Sequence, residues 1–201
     1  NLATAAIRQQ ALTVIVEGYM DVITAHQNGF SNVVASMGTA VTEKQVDALK
    51  KLSNNMILAL DADTAGEGAM LRCVDYENAL ATEIRVLILP AGRDPDDVIK
   101  DDTEMWQKLL EEALPIMDYT INMVTTKLDL TTARDKSLAV DRLLPLITEI
   151  QDTIRQAHYL QKLAGLVKVS ARILEATLSR IHPSPDSHKV KKLVQKSVTP
   201  T

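Results

Sequence analysis

Short aliphatic, β-branched runs alternate with helix-spaced stretches in the part of the chain that precedes Ile99. Thr13-Val14-Ile15-Val16 is a compact β-branched run and predicts a buried strand. Val33-Val34-Ala35-Ser36, Met56-Ile57-Leu58-Ala59-Leu60 and Ile84-Arg85-Val86-Leu87-Ile88-Leu89 predict three more. Between the second and third, Thr42-Glu43-Lys44-Gln45 has the form of a capping box and leads into Val46, Leu49 and Leu52 at helical spacing. Ala65 to Ala81 predicts a further helix before the fourth run. Strand and helix in this rhythm imply an α/β domain, with a mostly parallel sheet of about four strands and helices on both faces.

Beyond that point the β signal stops. Thr103 can cap a short helix running to Leu114, and Pro115 suits the first turn of another. Val140, Leu143, Leu144, Ile147 and Ile150 mark a third apolar stripe, which Pro145 should kink or interrupt. Asp152 begins a fourth helix carrying Ile154, Ala157, Leu160, Ala164 and Val167, and Ser170 caps a fifth that ends near Ile181. The expected organisation is an α/β domain over residues 1–102, an α-helical bundle over 103–182 and a disordered linker over 183–201. In the tail, His188-Lys189-Val190-Lys191-Lys192-Leu193 reads as a solvated linker.

Composition narrows the function. Apolar residues make up 46% of the chain, but aromatics only 3%, so the core is aliphatic and offers no evident platform for stacking bases. The formal charge is −4, whereas a domain that grips nucleic acid alone is usually basic. If nucleic acid is the substrate, much of the grip comes from elsewhere. The single cysteine, Cys73, excludes an internal disulfide and fits a reducing cytoplasm. No apolar stretch approaches the roughly 20 residues of a membrane span. The start at Asn1 has neither an initiator Met nor a signal-peptide layout and reads as the middle of a longer chain.

Ligands of open α/β sheets bind beyond the carboxyl ends of the strands. Strand one is followed by Glu17-Gly18-Tyr19-Met20-Asp21, strand three by Asp61-Ala62-Asp63-Thr64-Ala65-Gly66, and strand four by Gly92-Arg93-Asp94-Pro95-Asp96-Asp97. Three acidic edges should therefore share one rim. Crowded carboxylates need compensation, and Mg²⁺ or Mn²⁺ supplies it through hard oxygen ligation. Asp61 and Asp63, two apart, point to one face of an extended segment. Two ions about 4 Å apart can activate an attacking oxygen and steady a leaving one. Gly18 and Gly66 leave room beside the acids for phosphate or backbone. Asp63 also fits a simple helix cap, and Asp94 and Asp96, which flank Pro95, also fit a turn. His26, His158, His182 and His188 show no ligand spacing.

The stretches Glu17-Gly18-Tyr19-Met20-Asp21-Val22, Asp61-Ala62-Asp63-Thr64-Ala65-Gly66 and Asp94-Pro95-Asp96, with Val34 to Thr39 between the first two, resemble the Toprim domain of bacterial DnaG-type primases. Ala62 departs from the glycine those primases often carry. The helical part resembles the family more loosely, through its position and a pattern from Tyr159-Leu160 to Val169-Ser170. The resemblance implies that Glu17, Asp61 and Asp63 bind catalytic Mg²⁺ or Mn²⁺. Asp94 and Asp96 then serve as further metal-binding acids, and Gly18, Asp21 and Gly66 sit against the bound cofactor. It implies template-directed synthesis of short RNA primers on single-stranded DNA from ribonucleoside triphosphates, in the cytoplasm at the replication fork.

It further implies a zinc-binding module and a basic subdomain ahead of this segment, and a replicative helicase engaged through a carboxy-terminal domain that this chain lacks. On that basis the segment is expected to be monomeric and to make little primer alone. Two alternatives remain open from the acids themselves. One is a Toprim nuclease of RNA maturation using the same carboxylates for hydrolysis. The other is a non-catalytic interaction module in which the helical part docks a partner and the acids merely cap and solubilise.

Overall fold

Four consecutive β-branched or aliphatic side chains at Thr13–Val16 form β1, and all four are buried. A strand covered on both faces needs helices above and below, and the alternation in sequence supplies them. The computed structural model describes residues 2–37, 40–60 and 67–181. The tail expected over 183–201 lies outside them.

β1 pairs in parallel with β2 (Val33–Ala35) on one side, Ile15 opposite Val34, and with β3 (Asn55–Leu58) on the other, Ile15 opposite Leu58. β4 (Glu83–Val86) continues the parallel set with Met56 opposite Ile84. The edge is completed by β5 (Leu114–Pro115), antiparallel to β4. Among the described residues the sheet is thus five-stranded, in the order β2-β1-β3-β4-β5. The fifth strand goes beyond the sequence reading, which took Pro115 as a helix start. Two residues are too few for a period-two pattern, and proline is tolerated at an edge because no further strand asks for its missing N–H.

Val14, Val16, Ile57, Ala59, Leu87 and Leu89 turn to one face, where they pack with Ala25, Val98, Ile99 and Trp106. Those partners come from α2 (Tyr19–Gln27), α5 (Pro95–Asp101) and α6 (Thr103–Glu111). Trp106 is fully buried and meets Phe30 edge to face at 6.3 Å between ring centroids. Residues of the other parity, Ile15, Met56, Leu58, Ile84 and Val86, are buried on the opposite face. There α3 (Glu43–Lys50), α4 (Glu67–Leu80) and α7 (Ile116–Thr126) pack in sequence, α4 carrying the buried Cys73. α1 (Ala3–Gln10) adds the buried Ile7. The expected capping box at α3 is present, with Thr42 and Gln45 bonding reciprocally.

The packing divides between Leu128 and Asp129. The sequence reading drew its boundary at residue 102, where the β signal fades. Residues beyond 102 nevertheless complete the sheet unit, because Trp106 fills its core, β5 extends its sheet and α7 covers α4.

The second unit comprises α8 (Ala133–Thr148), α9 (Thr153–Val167) and α10 (Ala171–Ile181), packed on one another. Asp152 caps α9 by accepting from the N–H groups of Ile154 and Arg155. α8 runs through Pro145 rather than ending there. The carbonyl that proline leaves without a partner belongs to Asp141, an exposed residue open to water. No helix among the described residues is long and apolar enough to cross a membrane.

Candidate metal and nucleotide site

The parallel strands β1, β3 and β4 end at one edge of the sheet, and that edge collects the acids. Pairing between β1 and β2 continues past the strand ends, with the Met37 N–H donating to the Glu17 carbonyl at 3.0 Å. Glu17, half-buried, therefore leaves β1 on a backbone that is still anchored. Gly18 follows in extended conformation, with φ −106° and ψ 162°, as the residue before α2. Any residue adopts such angles. What glycine contributes is the absence of a Cβ, which would lie 3.4 Å from Asp21 Oδ2. Asp21, only 7% exposed, turns back in the first turn of α2 to accept the Gly18 N–H at 3.0 Å.

The second acid-bearing segment is a helix start. Asp94 accepts the Asp97 N–H at 2.7 Å, and Pro95 occupies the first helical position of α5, where a missing N–H costs nothing. Asp96 comes next. Its N–H donates to Asp21 Oδ1 at 3.2 Å, so Asp21 joins the two segments across 75 positions of sequence. The Asp96 carboxylate is held from two sides, by the Thr24 hydroxyl on Oδ1 and by Lys100 Nζ, 2.5 Å from Oδ2.

The electrostatics follow from these contacts. Burial pushes the Asp21 carboxyl above the ordinary carboxylate value, and the charges of Asp94 and Asp96 add to the rise against the two N–H bonds. The bond from Lys100, then that from Thr24, holds Asp96 below the ordinary value. Carboxylate oxygens of Asp94, Asp96 and Asp97 lie within 4.8 Å of one another. All are hard oxygen donors, and such a group suits a divalent cation of the Mg²⁺ or Mn²⁺ kind better than a soft metal.

Of the residues singled out from sequence, Glu17, Gly18, Asp21, Asp94 and Asp96 gather at this edge. Asp61, Asp63 and Gly66 lie outside the described residues. The sequence reading missed Thr24 and Lys100. Lys100 stands four residues after Asp96, a signal that has meaning only once residues 95–101 are known to be helical. His26 is a packed residue, its Nε2 3.0 Å from the Val33 carbonyl.

A Toprim-like family matches residues 14–99, and a family described as the DnaB-helicase binding domain of primase matches residues 117–171. The DNA primase of Clostridium acetobutylicum is 37% identical over 152 residues, which is 75% of this chain and 25% of that protein. Among solved structures, a DnaG catalytic core superposes with a TM-score of 0.73 at 28% identity, covering 86% of this chain and 57% of that one. The chain belongs to the bacterial DnaG-type primase family.

A second DnaG-type structure, the RNA polymerase domain of Mycobacterium tuberculosis primase in complex with double-stranded DNA, has a TM-score of 0.67 at 30% identity and covers 84% of this chain and 55% of that one. The chain spans about a quarter of the length of the curated primase it matches. The Toprim-like match takes in Glu17, Asp94, Asp96 and the segment carrying Asp61 and Asp63. Helicase binding was assigned to a carboxy-terminal domain absent from this chain, whereas the helicase-binding match falls inside it, over residues 117–171. Helical stripes such as Leu143, Leu144 and Ile147 serve core packing in any bundle, so their spacing carries no separate mark of a helicase partner.

Proposed function

We propose that this chain is the metal-binding part of a DNA primase catalytic core, working in template-directed synthesis of short RNA primers on single-stranded DNA from ribonucleoside triphosphates. The observation that carries the reading is the junction between Asp21 and the Asp96 N–H, which brings the acids after β1 and β4 to one edge. Glu17, Asp61 and Asp63 are the catalytic ligands in this reading, with Asp94 and Asp96 as further ligands. Divalent cations, when bound, neutralise triphosphate charge and make the attacking hydroxyl more acidic.

The chain's own residues do the rest. Anchoring of Glu17 by the Met37 N–H fixes where its side chain starts. Gly18 carries no side chain beside Glu17, which leaves room for a phosphate to come close, and the sequence puts a second glycine, Gly66, three positions after Asp63. Lys100 supplies a positive charge to Asp96 until a cation competes for that carboxylate.

The net charge of −4 supports a division of labour, in which DNA is gripped largely by parts of the primase beyond this chain. The 201-residue chain alone then makes little primer, in keeping with its cover of only 57% of the solved catalytic core. The match at 117–171 supports docking of the replicative helicase through the helical region. Work at a bacterial fork is cytoplasmic.

The test places Asp61→Ala/Asp63→Ala, and separately Asp96→Ala, in the full-length primase. Primer synthesis on a single-stranded template should fall about 100-fold or more. Undiminished synthesis in the double variant would overturn the reading, and metal-dependent cleavage of structured RNA by the wild type would favour the nuclease instead.

A further inference from the structure

β3 lies between β1 and β4, so those two strands run about 10 Å apart and the acid-bearing segments that follow them are not neighbours in the sheet. Two acid-bearing segments that follow separate strands serve one cation cluster only if something fixes their separation. One side chain spans the gap. Asp21 Oδ2 accepts the Gly18 N–H at 3.0 Å, and Asp21 Oδ1 accepts the Asp96 N–H at 3.2 Å. A turn further along α2, Thr24 donates to the Asp96 carboxylate. We propose that Asp21 is a positioning residue, which locks the Glu17-Gly18 turn against the Asp94–Asp96 turn so that both sets of carboxylates face the same cations. The inference rests on the metal-dependent reading above and assigns Asp21 a role apart from ligation.

Both Asp21 oxygens already receive a backbone donor, and the residue is 7% exposed, which suits a brace more than a ligand. The geometry also explains why a carboxylate stands here. Two N–H groups approaching from different turns need an acceptor on each oxygen. Asparagine has one acceptor, and its NH₂ group would oppose the second N–H. Glutamate has both acceptors but carries them one methylene too far.

The test uses full-length primase bearing Asp21→Asn and, separately, Thr24→Val, which removes the neighbouring tie and leaves Asp21 intact. Free Mn²⁺ is followed by electron paramagnetic resonance to give affinity, and primer synthesis is measured across Mn²⁺ concentrations. Asp21→Asn should weaken Mn²⁺ binding about 10- to 100-fold, as loss of an outer partner of a ligand does, with synthesis largely restored at saturating Mn²⁺. Thr24→Val should shift affinity in the same direction by less. If Asp21→Asn does not fold, the Thr24→Val shift alone decides.

Unchanged Mn²⁺ affinity in a folded Asp21→Asn protein, or in Thr24→Val where only that variant folds, overturns the proposal. So does synthesis that excess Mn²⁺ cannot restore, since that marks Asp21 as a ligand. Asp61→Ala/Asp63→Ala is the control. If it too leaves Mn²⁺ binding and synthesis intact, the underlying metal-site reading fails, and not this inference alone.

Discussion

Thr24 on α2 donates its hydroxyl hydrogen to Oδ1 of Asp96 on α5, joining two helices across 72 positions of sequence. Thr24 is 4% exposed, and the bond is made to a carboxylate, so it belongs to the stronger kind. Thr24→Val keeps the shape and removes the donor. It should lower stability by about 1 kcal/mol, below the usual range for bonds to charged groups because Asp96 keeps some contact with water. Urea denaturation measures this as a lower midpoint with unchanged slope.

Asp152 gives a pH dependence of known sign. The N–H groups of Arg155 and Ile154 hold its carboxyl below the ordinary value of 3.8. A depressed pKa means that the unfolded chain takes up the proton first as pH falls. The stabilisation is therefore fully present above about pH 4 to 5 and is lost as pH drops through the folded value. Asp152→Asn should be less stable than wild type at pH 7, and the gap should shrink towards pH 2 to 3. Denaturation of both proteins over that range checks it, and a gap that widens on acidification would contradict the account.

Trp106 is the single tryptophan of the chain and is fully buried against Phe30. Its fluorescence should be blue-shifted and poorly quenched by acrylamide until the sheet unit unfolds. Trp106→Ala should cost about 3–5 kcal/mol. The indole N–H finds no acceptor among the described residues, an unfavourable burial that phenylalanine removes. Trp106→Phe should therefore cost clearly less than Trp106→Ala, by about 2 kcal/mol.

How much of this was legible in the sequence depends on the reach of each signal. The cores of β1 to β4 were legible because Thr13–Val16 and its counterparts are runs that only a covered strand explains. β5 was not, since Leu114–Pro115 owes its conformation to β4 and not to its own composition. α5 was not legible either: Asp94-Pro95-Asp96 also fits a turn, and an acid followed by proline is equally how a helix begins. The acids at the site were identifiable because their types and their places after strands carry the chemistry. Their bracing was not. The Asp21–Asp96 bond links residues 75 apart, and no local pattern encodes such a contact.

In the proposed function the acids at this edge form one cation and nucleotide site. The most direct measurement is calorimetry of Mn²⁺ binding to this chain, with and without a ribonucleoside triphosphate, beside Asp61→Ala/Asp63→Ala. The expected result is Mn²⁺ binding that strengthens with nucleotide and disappears in a double variant whose circular dichroism matches wild type. Equal Mn²⁺ binding by the two folded proteins would contradict the claim and leave the acidic edge a structural feature.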